Sequence, residues 1–191
     1  GANSSVLTLA QDGSSLYAGG FFTHVGGLTR RRAVALHVST GAVLAWDPNP
    51  NFSVLALTVS GGVVYAGGDF TQIGGAQRDY IAALSGTGLG DATTWNPGAD
   101  GSVRAIAVNN QTVFVGGTFT LVGGQARSRV AAIGTAGTVS TWNPNASNLV
   151  RTVAVNGSSV YVGGDFTLMG GEARDRIAAI NTDTGTALAW N

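Results

Sequence analysis

The feature that most constrains the fold is an eleven-residue string that occurs four times. It reads YAGGFFTHVGG from Tyr17, YAGGDFTQIGG from Tyr65, FVGGTFTLVGG from Phe114 and YVGGDFTLMGG from Tyr161. The chain's four tryptophans keep the same interval of 47 to 49 residues, at Trp46, Trp95, Trp142 and Trp190. A period of this length is typical of propellers and solenoids.

Each repeat is predicted to contain four short strands. In the second repeat these are residues 54–60, 63–68, 81–84 and 92–97, with Gly61 and Gly62 as a hairpin turn and Pro97 ending the last strand. No segment shows a sustained helical period. The prediction is an all-β propeller of four four-stranded antiparallel blades, at about 1–50, 51–99, 100–146 and 147–191, in a single domain 1–191.

The glycine doublets of the string require a structural reason. They hold sixteen of the chain's 30 glycines. At about 0.5–1 kcal/mol each, glycines inside strands would cost on the order of 8–16 kcal/mol, as much as the net stability of a domain. We therefore expect positive φ, or close backbone approach, at these positions.

The first strands show how blades would stack. One side of the strand is bulky, with Leu9, Leu57, Ile106 and Val153, and the other is small, with Thr8, Ala56, Ala105 and Thr152. Blades could therefore pack large against small. Because the first and last repeats keep this pattern, two arrangements stay open: a closed four-blade ring, or half of a larger ring formed with another chain.

Composition excludes several classes of function. Lys+Arg and Asp+Glu balance at 10 each, which disfavours a nucleic-acid partner. There is no cysteine, no apolar run long enough to span a membrane, and no metal-ligand spacing around the two histidines. No nucleophile motif stands out. We expect neither a cofactor nor a metal, and no enzyme activity.

Two sets of residues are candidates for a site. One arginine per repeat precedes the third strand: Arg30, Arg78, Arg127 and Arg174. The favoured interpretation is that these arginines lock the blades, with backbone carbonyls or the acids Asp69 and Asp165 as their partners. The position two residues later varies and is the better ligand candidate: Arg32, Tyr80, Arg129 and Arg176.

The tryptophans are expected to pack between blades rather than to bind sugars. Asp91 and Asp100, in turns judged variable, would be the acids of a hydrolase. Asn3, Asn51, Asn110, Asn145 and Asn156 begin glycosylation sequons.

The string Tyr-x-Gly-Gly-Asp-Phe-Thr, followed by Gly-Gly, an arginine, "IAAL" and "TWNP", resembles the delta-60-type propeller repeat, and kelch repeats more distantly. The resemblance covers all four repeats and implies a propeller in a secreted or surface protein of bacteria. It implies a binding or scaffolding role and transfers no catalytic residues. The function hypotheses are an extracellular module that binds protein or glycan, a self-assembling unit that forms oligomers or fibres (an engineered form included), and a carboxylate-based hydrolase.

Overall fold

The fold, described for residues 1–190 by a computed structural model, is entirely β. These residues form twenty strands in antiparallel sheets and no helix. The chain divides into two compact units, Gly1–Asn96 and Pro97–Asn191. Each unit contains two of the sequence repeats, and the division lies close to the repeat boundary predicted at residues 99 and 100.

Every repeat has a three-stranded sheet and a small hairpin. In repeat 1 the sheet is β1 (Val6–Asp12), β2 (Ser15–Gly20) and β5 (Ala33–His37), and the hairpin is β3 (His24–Val25) with β4 (Leu28–Thr29). Repeat 2 has β6 (Val54–Ser60), β7 (Val63–Gly68) and β10 (Ile81–Ser85), with β8 (Gln72–Ile73) and β9 (Ala76–Gln77). Repeat 3 has β11 (Val103–Asn109), β12 (Thr112–Gly117) and β15 (Val130–Gly134), with β13 (Leu121–Val122) and β14 (Gln125–Ala126). Repeat 4 has β16 (Val150–Asn156), β17 (Ser159–Gly164) and β20 (Ile177–Asn181), with β18 (Leu168–Met169) and β19 (Glu172–Ala173).

The fourth strand predicted for each blade is not formed. The segment predicted at 92–97 pairs with the sheet at one bridge, between Leu84 and Ala92. The other repeats show the same single bridge, at Leu36–Val43, Ile133–Val139 and Ile180–Ala187. Beyond the bridge, an arginine of the loop takes a carbonyl of this segment as its acceptor, as described below, so the ladder does not continue.

The two glycine doublets of each string solve different problems. In the first doublet the backbone is closely approached: a Cβ on Gly19 would lie 2.6 Å from Cγ1 of Val54 in the next repeat. In the second doublet both glycines have positive φ, as at Gly74 (60°) and Gly75 (75°). The first glycine of the second doublet is closely approached as well, since a Cβ on Gly74 would lie 2.5 Å from the backbone N of Ala92. The prediction of positive φ or close approach is confirmed at both doublets.

Consecutive repeats within a unit share an apolar core. In unit 1, Tyr17, Ala33, Ala35 and Trp46 of repeat 1 pack against Val54, Leu57, Val64 and their neighbours in repeat 2. The Trp46 indole donates to the carbonyl of Ser85 at 2.8 Å and meets the Tyr17 ring edge-to-face at 5.0 Å. In unit 2, Trp142 donates to the carbonyl of Asn181 at 2.8 Å and meets Phe114 at 5.2 Å. Trp46 and Trp142 therefore pack between repeats, as the sequence predicted.

Candidate binding grooves

The first predicted arginine set holds the fourth segment of each repeat. In all four copies one guanidinium NH₂ group donates to the carbonyl of the preceding residue, at 2.6 to 2.9 Å. The other donates across to the fourth segment at 2.5 to 3.1 Å, where the acceptors are the carbonyls of Leu44, Thr93, Ser140 and Leu188. These arginines are Arg30, Arg78, Arg127 and Arg174. The geometry fastens the loop hairpin to the repeat and leaves Nε of all four guanidinium groups buried.

The two acids suggested as partners of these arginines bind elsewhere. A carboxylate oxygen of Asp69 accepts from the Ser53 hydroxyl at 2.6 Å. Asp165 forms an exposed two-bond ion pair with Arg151, at 2.8 and 2.6 Å, and these bonds lower the pKa of Asp165. The suggested pairing of Asp165 with Arg174 is therefore wrong, because Arg174 is bound to the carbonyls of Ala173 and Leu188.

The second predicted set lies at a strained backbone position. Arg32, Tyr80, Arg129 and Arg176 all have positive φ, between 61° and 66°. The side chains of Arg32 and Arg129 donate to the carbonyls of Pro50 and Ala146, at 3.3 and 3.1 Å. These carbonyls belong to the segment that leads into the following repeat, so two of the four ligand candidates are bound to the protein's own backbone.

A further repeated position was missed by sequence reasoning. A short acceptor side chain just before each first strand accepts from two successive backbone N–H groups that follow the Phe of the string, at 2.7 to 3.0 Å. The acceptors are Asn3, Asn51, Asp100 and Ser147. The available signal was their constant position, twenty residues before the threonine of the string. In the sequence, Asn3 and Asn51 stand out only as sequons, and Asp100 lies in what looks like a variable turn.

Asp100 shows the electrostatic consequence of this acceptor position. Partial burial acts to raise its pKa. The hydrogen bonds from the Thr120 hydroxyl and from the backbone N–H groups of Leu121 and Thr120 outweigh burial, so the pKa of Asp100 is lowered from 3.8. Its carboxylate therefore accepts hydrogen bonds that hold the backbone of the loop.

Each unit has an open groove at the equivalent place. Groove A, of about 380 Å³ in unit 1, is lined by Asp47, Pro48, Asn49, Asp91 and the hairpin of repeat 2. Groove B, of about 620 Å³ in unit 2, is lined by Arg129, Asn143, Pro144, Asn145, Thr186 and parts of repeat 4. The Trp-Asp/Asn-Pro segment forms the wall of both, so the backbone framework is shared while the side chains differ.

One residue in the lining of each groove has a buried oxygen without a hydrogen-bond donor. Oδ1 of Asp47 in groove A and Oδ1 of Asn143 in groove B are buried and have no partner among the described residues. The two residues occupy the same repeat position, one after Trp46 and one after Trp142. Since a buried acceptor without a donor is costly, these two oxygens mark a repeated position with unmet hydrogen-bonding capacity.

Metal binding and membrane spanning find no support in residues 1–190. This part of the chain contains no cluster of three or more His, Asp or Glu side chains placed to hold a metal ion. It also contains no helix long and apolar enough to cross a membrane.

Comparison with known proteins extends the description of the fold. No protein-family model and no curated protein matches the chain. Among solved structures, the computationally designed Ika4 protein is similar with a TM-score of 0.62 and 16% identity, over 95% of this chain and 93% of that one. The designed Ika8 protein is similar with a TM-score of 0.61 and 14% identity, over 98% of this chain and 62% of that one.

A natural structure is also similar. It is the extracellular domain of a protein from B. thetaiotaomicron described as a one-component system, with a TM-score of 0.60 and 12% identity. The match covers 96% of this chain and 22% of that one. At these identities the likeness shows the fold alone, and that fold is all-β and propeller-like.

Proposed function

We propose that the chain is a non-catalytic, extracellular β-propeller module of a bacterial surface or secreted protein, of the delta-60 type, which binds a protein or a glycan through grooves A and B. The observation that carries the proposal is the repeat-equivalent pair Asp47 and Asn143, each of which lines its groove and has one buried oxygen without a donor. Hydroxyl groups of a sugar and N–H groups of a peptide are both donors to such an oxygen. The extracellular domain among the similar structures supports the placement.

The grooves suit binding because the residues that hold the backbone differ from those that would contact a ligand. The Arg quartet and the buried prolines hold the backbone, while the polar lining differs between grooves, with Asp47 and Asp91 in one and Asn143 and Thr186 at the equivalent positions of the other. Loops on a rigid scaffold commonly carry recognition. We therefore expect the two grooves to prefer different ligands of one chemical class.

Binding to arrayed oligosaccharides and arrayed peptides tests the proposal. Asp47→Ala removes the groove A acceptor, whereas Asp47→Asn keeps an oxygen there, as Asn143 does in groove B. We expect D47A to weaken binding of a groove A ligand at least about tenfold, as for loss of a hydrogen bond of about 1.4 kcal/mol or more, and D47N to retain it. Asp12→Ala, an exposed acid outside the grooves, is the control. Absence of binding on both arrays, or equal binding by all variants, would refute the proposal.

A second candidate function rests on groove A alone. Asp47 and Asp91 both line it, so two carboxylates face one cleft, as hydrolysis of a glycosidic bond requires. Groove B has Asn143 at the first position and cannot supply the same pair. Turnover of a glycoside panel that is abolished by both Asp47→Asn and Asp91→Asn would favour this function over binding.

A further inference from the structure

Consecutive repeats within a unit meet through two different faces. The first, here called the tryptophan face, carries Tyr17, Ala33, Ala35 and Trp46 in repeat 1. The second, here called the valine face, carries Val54, Leu57 and Val64 in repeat 2. In unit 2 the tryptophan face of repeat 3 meets the valine face of repeat 4 in the same way, with Phe114 and Trp142 against Val150 and Val153. The same interface therefore occurs in both units, each time with the tryptophan face of the earlier repeat against the valine face of the later one.

The valine face of repeat 1 is uncovered. Leu9 is 60% exposed, whereas the equivalent Leu57 is 7% exposed. Val6 is likewise exposed, although the equivalent Val54 and Val150 are fully buried. Beneath this surface lies a core of Ala18, Phe22, Val25 and Val34, the same positions as Ala66, Phe70, Ile73 and Ala82 in the shared core of unit 1. Repeat 1 therefore has half of an interface and lacks the other half.

The tryptophan face of repeat 4 is uncovered too. Tyr161 is 37% exposed, compared with 3% for the equivalent Tyr17, and both Ile177 and Trp190 are about half exposed. Tyr161 and Trp190 already meet edge-to-face at 5.7 Å, as Tyr17 and Trp46 do at 5.0 Å. The face has therefore adopted its packing geometry without a covering repeat.

We propose that a second copy of this chain docks its repeat 1 valine face on the repeat 4 tryptophan face. The occupant follows from position-by-position equivalence with the interface inside each unit. In unit 1, Val54 fills the space above Gly19, and Val6 of the second copy would fill the space above Gly163. Because the two faces differ, each copy offers one of each. Two copies can therefore form two such contacts in a closed dimer, or further copies can add to the free faces of an open assembly.

Two polar contacts also have equivalents. The backbone N–H of Leu57 donates to the hydroxyl of Thr8 at 3.0 Å, and repeat 4 has a threonine at this position, Thr152. Leu9 N–H of the second copy is placed to donate to it. Trp46 donates to the carbonyl of Ser85, the last residue of β10, and the corresponding acceptor for Trp190 is the carbonyl of His37 in β5. The proposal goes beyond ligand binding, since neither face includes residues that line grooves A or B.

Sedimentation and light scattering across a concentration series test the docking. The chain has a mass of 19.2 kDa, and we expect species of twice that mass or more. Leu9→Arg and Ile177→Arg each place a charge in one face, and we expect either to raise the dissociation constant at least about 30-fold, as at an interface hot spot. Leu121→Arg changes an exposed leucine on the β13–β14 hairpin, outside both faces and both grooves, and should leave association unchanged.

Mixing the two variants tests which faces meet. L9R retains an intact tryptophan face and I177R an intact valine face, so we expect a one-to-one complex from the mixture and no self-association of either alone. Trp190→Phe, which keeps the ring stacking and removes the indole donor, should weaken association about fivefold and serves as a mild variant should an arginine variant fail to fold. A wild type that remains monomeric, or assembly that I177R leaves intact, would overturn the proposal. Circular dichroism confirms that each variant is folded, and array binding by a monomeric variant keeps the groove hypothesis separately testable.

Discussion

Replacing Gly116 with alanine would place a methyl group in space that Val150 occupies. An added Cβ would overlap with Cγ1 of Val150 and lie 3.0 Å from Cγ2 of Val153, both in the next repeat. Val150 is fully buried and cannot turn away into solvent. The substitution therefore tests directly whether the first glycine doublet exists to admit the valine of the following repeat.

The magnitude follows from two opposing effects. Alanine in a strand is favoured over glycine by about 0.5–1 kcal/mol, because it loses less conformational freedom on folding. Overpacking a filled core costs about 1–3 kcal/mol, and this overlap belongs at the upper end. We expect a net loss of about 2 kcal/mol in the free energy of unfolding. For a chain of this size that lowers Tm by about 4–8 °C.

A second substitution makes the reasoning specific. Val150→Ala alone should cost about 2–3 kcal/mol, through lost burial and a cavity. In the double variant the new methyl enters the vacated space, so its loss should be smaller than the sum of the single losses by about 1–2 kcal/mol. Urea unfolding followed by circular dichroism measures all four proteins of the cycle.

The control is a glycine of the second doublet. Gly124 has a φ of 72° and no atom within 4 Å of an added Cβ. Gly124→Ala should cost about 1–2 kcal/mol from the backbone conformation alone and show no coupling to Val150→Ala. Strict additivity of Gly116→Ala with Val150→Ala would refute the steric argument, as would a Gly116→Ala variant as stable as the parent.

Three further predictions concern the repeated contacts. Because the pKa of Asp100 in the folded protein is below 3.8, its contribution to stability is complete above that pH and is lost as pH falls through the folded value. Asp100→Asn should keep the backbone contacts and remove this pH dependence, whereas Asp100→Ala should lose both, as acid unfolding curves would show. Trp46→Phe should destabilise by about 2–3 kcal/mol, since it removes the bond to Ser85 and leaves a gap, and an unchanged melting temperature would contradict this. Asn110→Gly, at a φ of 52°, should stabilise by up to about 1 kcal/mol in thermal melts, and destabilisation there would count against backbone strain.

Much of the fold was predictable because it repeats. Periodic glycines, a tryptophan in every repeat and period-2 hydrophobicity specify three strands per repeat without reference to distant contacts. Positive φ or close backbone approach could be predicted for the doublets as a group, because so many glycines need a local cause, but which doublet has positive φ could not. The second doublet is the one with positive φ at both glycines. Its position in a two-residue hairpin such as β8–β9 could not be seen, because that hairpin depends on loop packing.

The prediction of a fourth strand was wrong because an arginine side chain competes with the backbone ladder for a carbonyl. The segment at 92–97 has strand-like composition, yet Arg78 takes the carbonyl of Thr93, which limits pairing to a single bridge. The candidate grooves were not predictable, because they form where separate repeats meet and no motif marks them. Asp47 looked like an ordinary residue before a proline, and its significance comes from the burial of one oxygen.

The bonds of Trp46 and Trp142 to a carbonyl of the following repeat give the contact between repeats within each unit a direction. Trp46 and Trp142 each reach forward along the chain, to Ser85 and Asn181. A repeat duplicated or deleted by recombination would therefore rejoin its neighbours only in the original orientation. A gene that gains or loses whole repeats therefore keeps the contact between neighbouring repeats. This offers a physical route for varying the number of repeats without redesigning any of them.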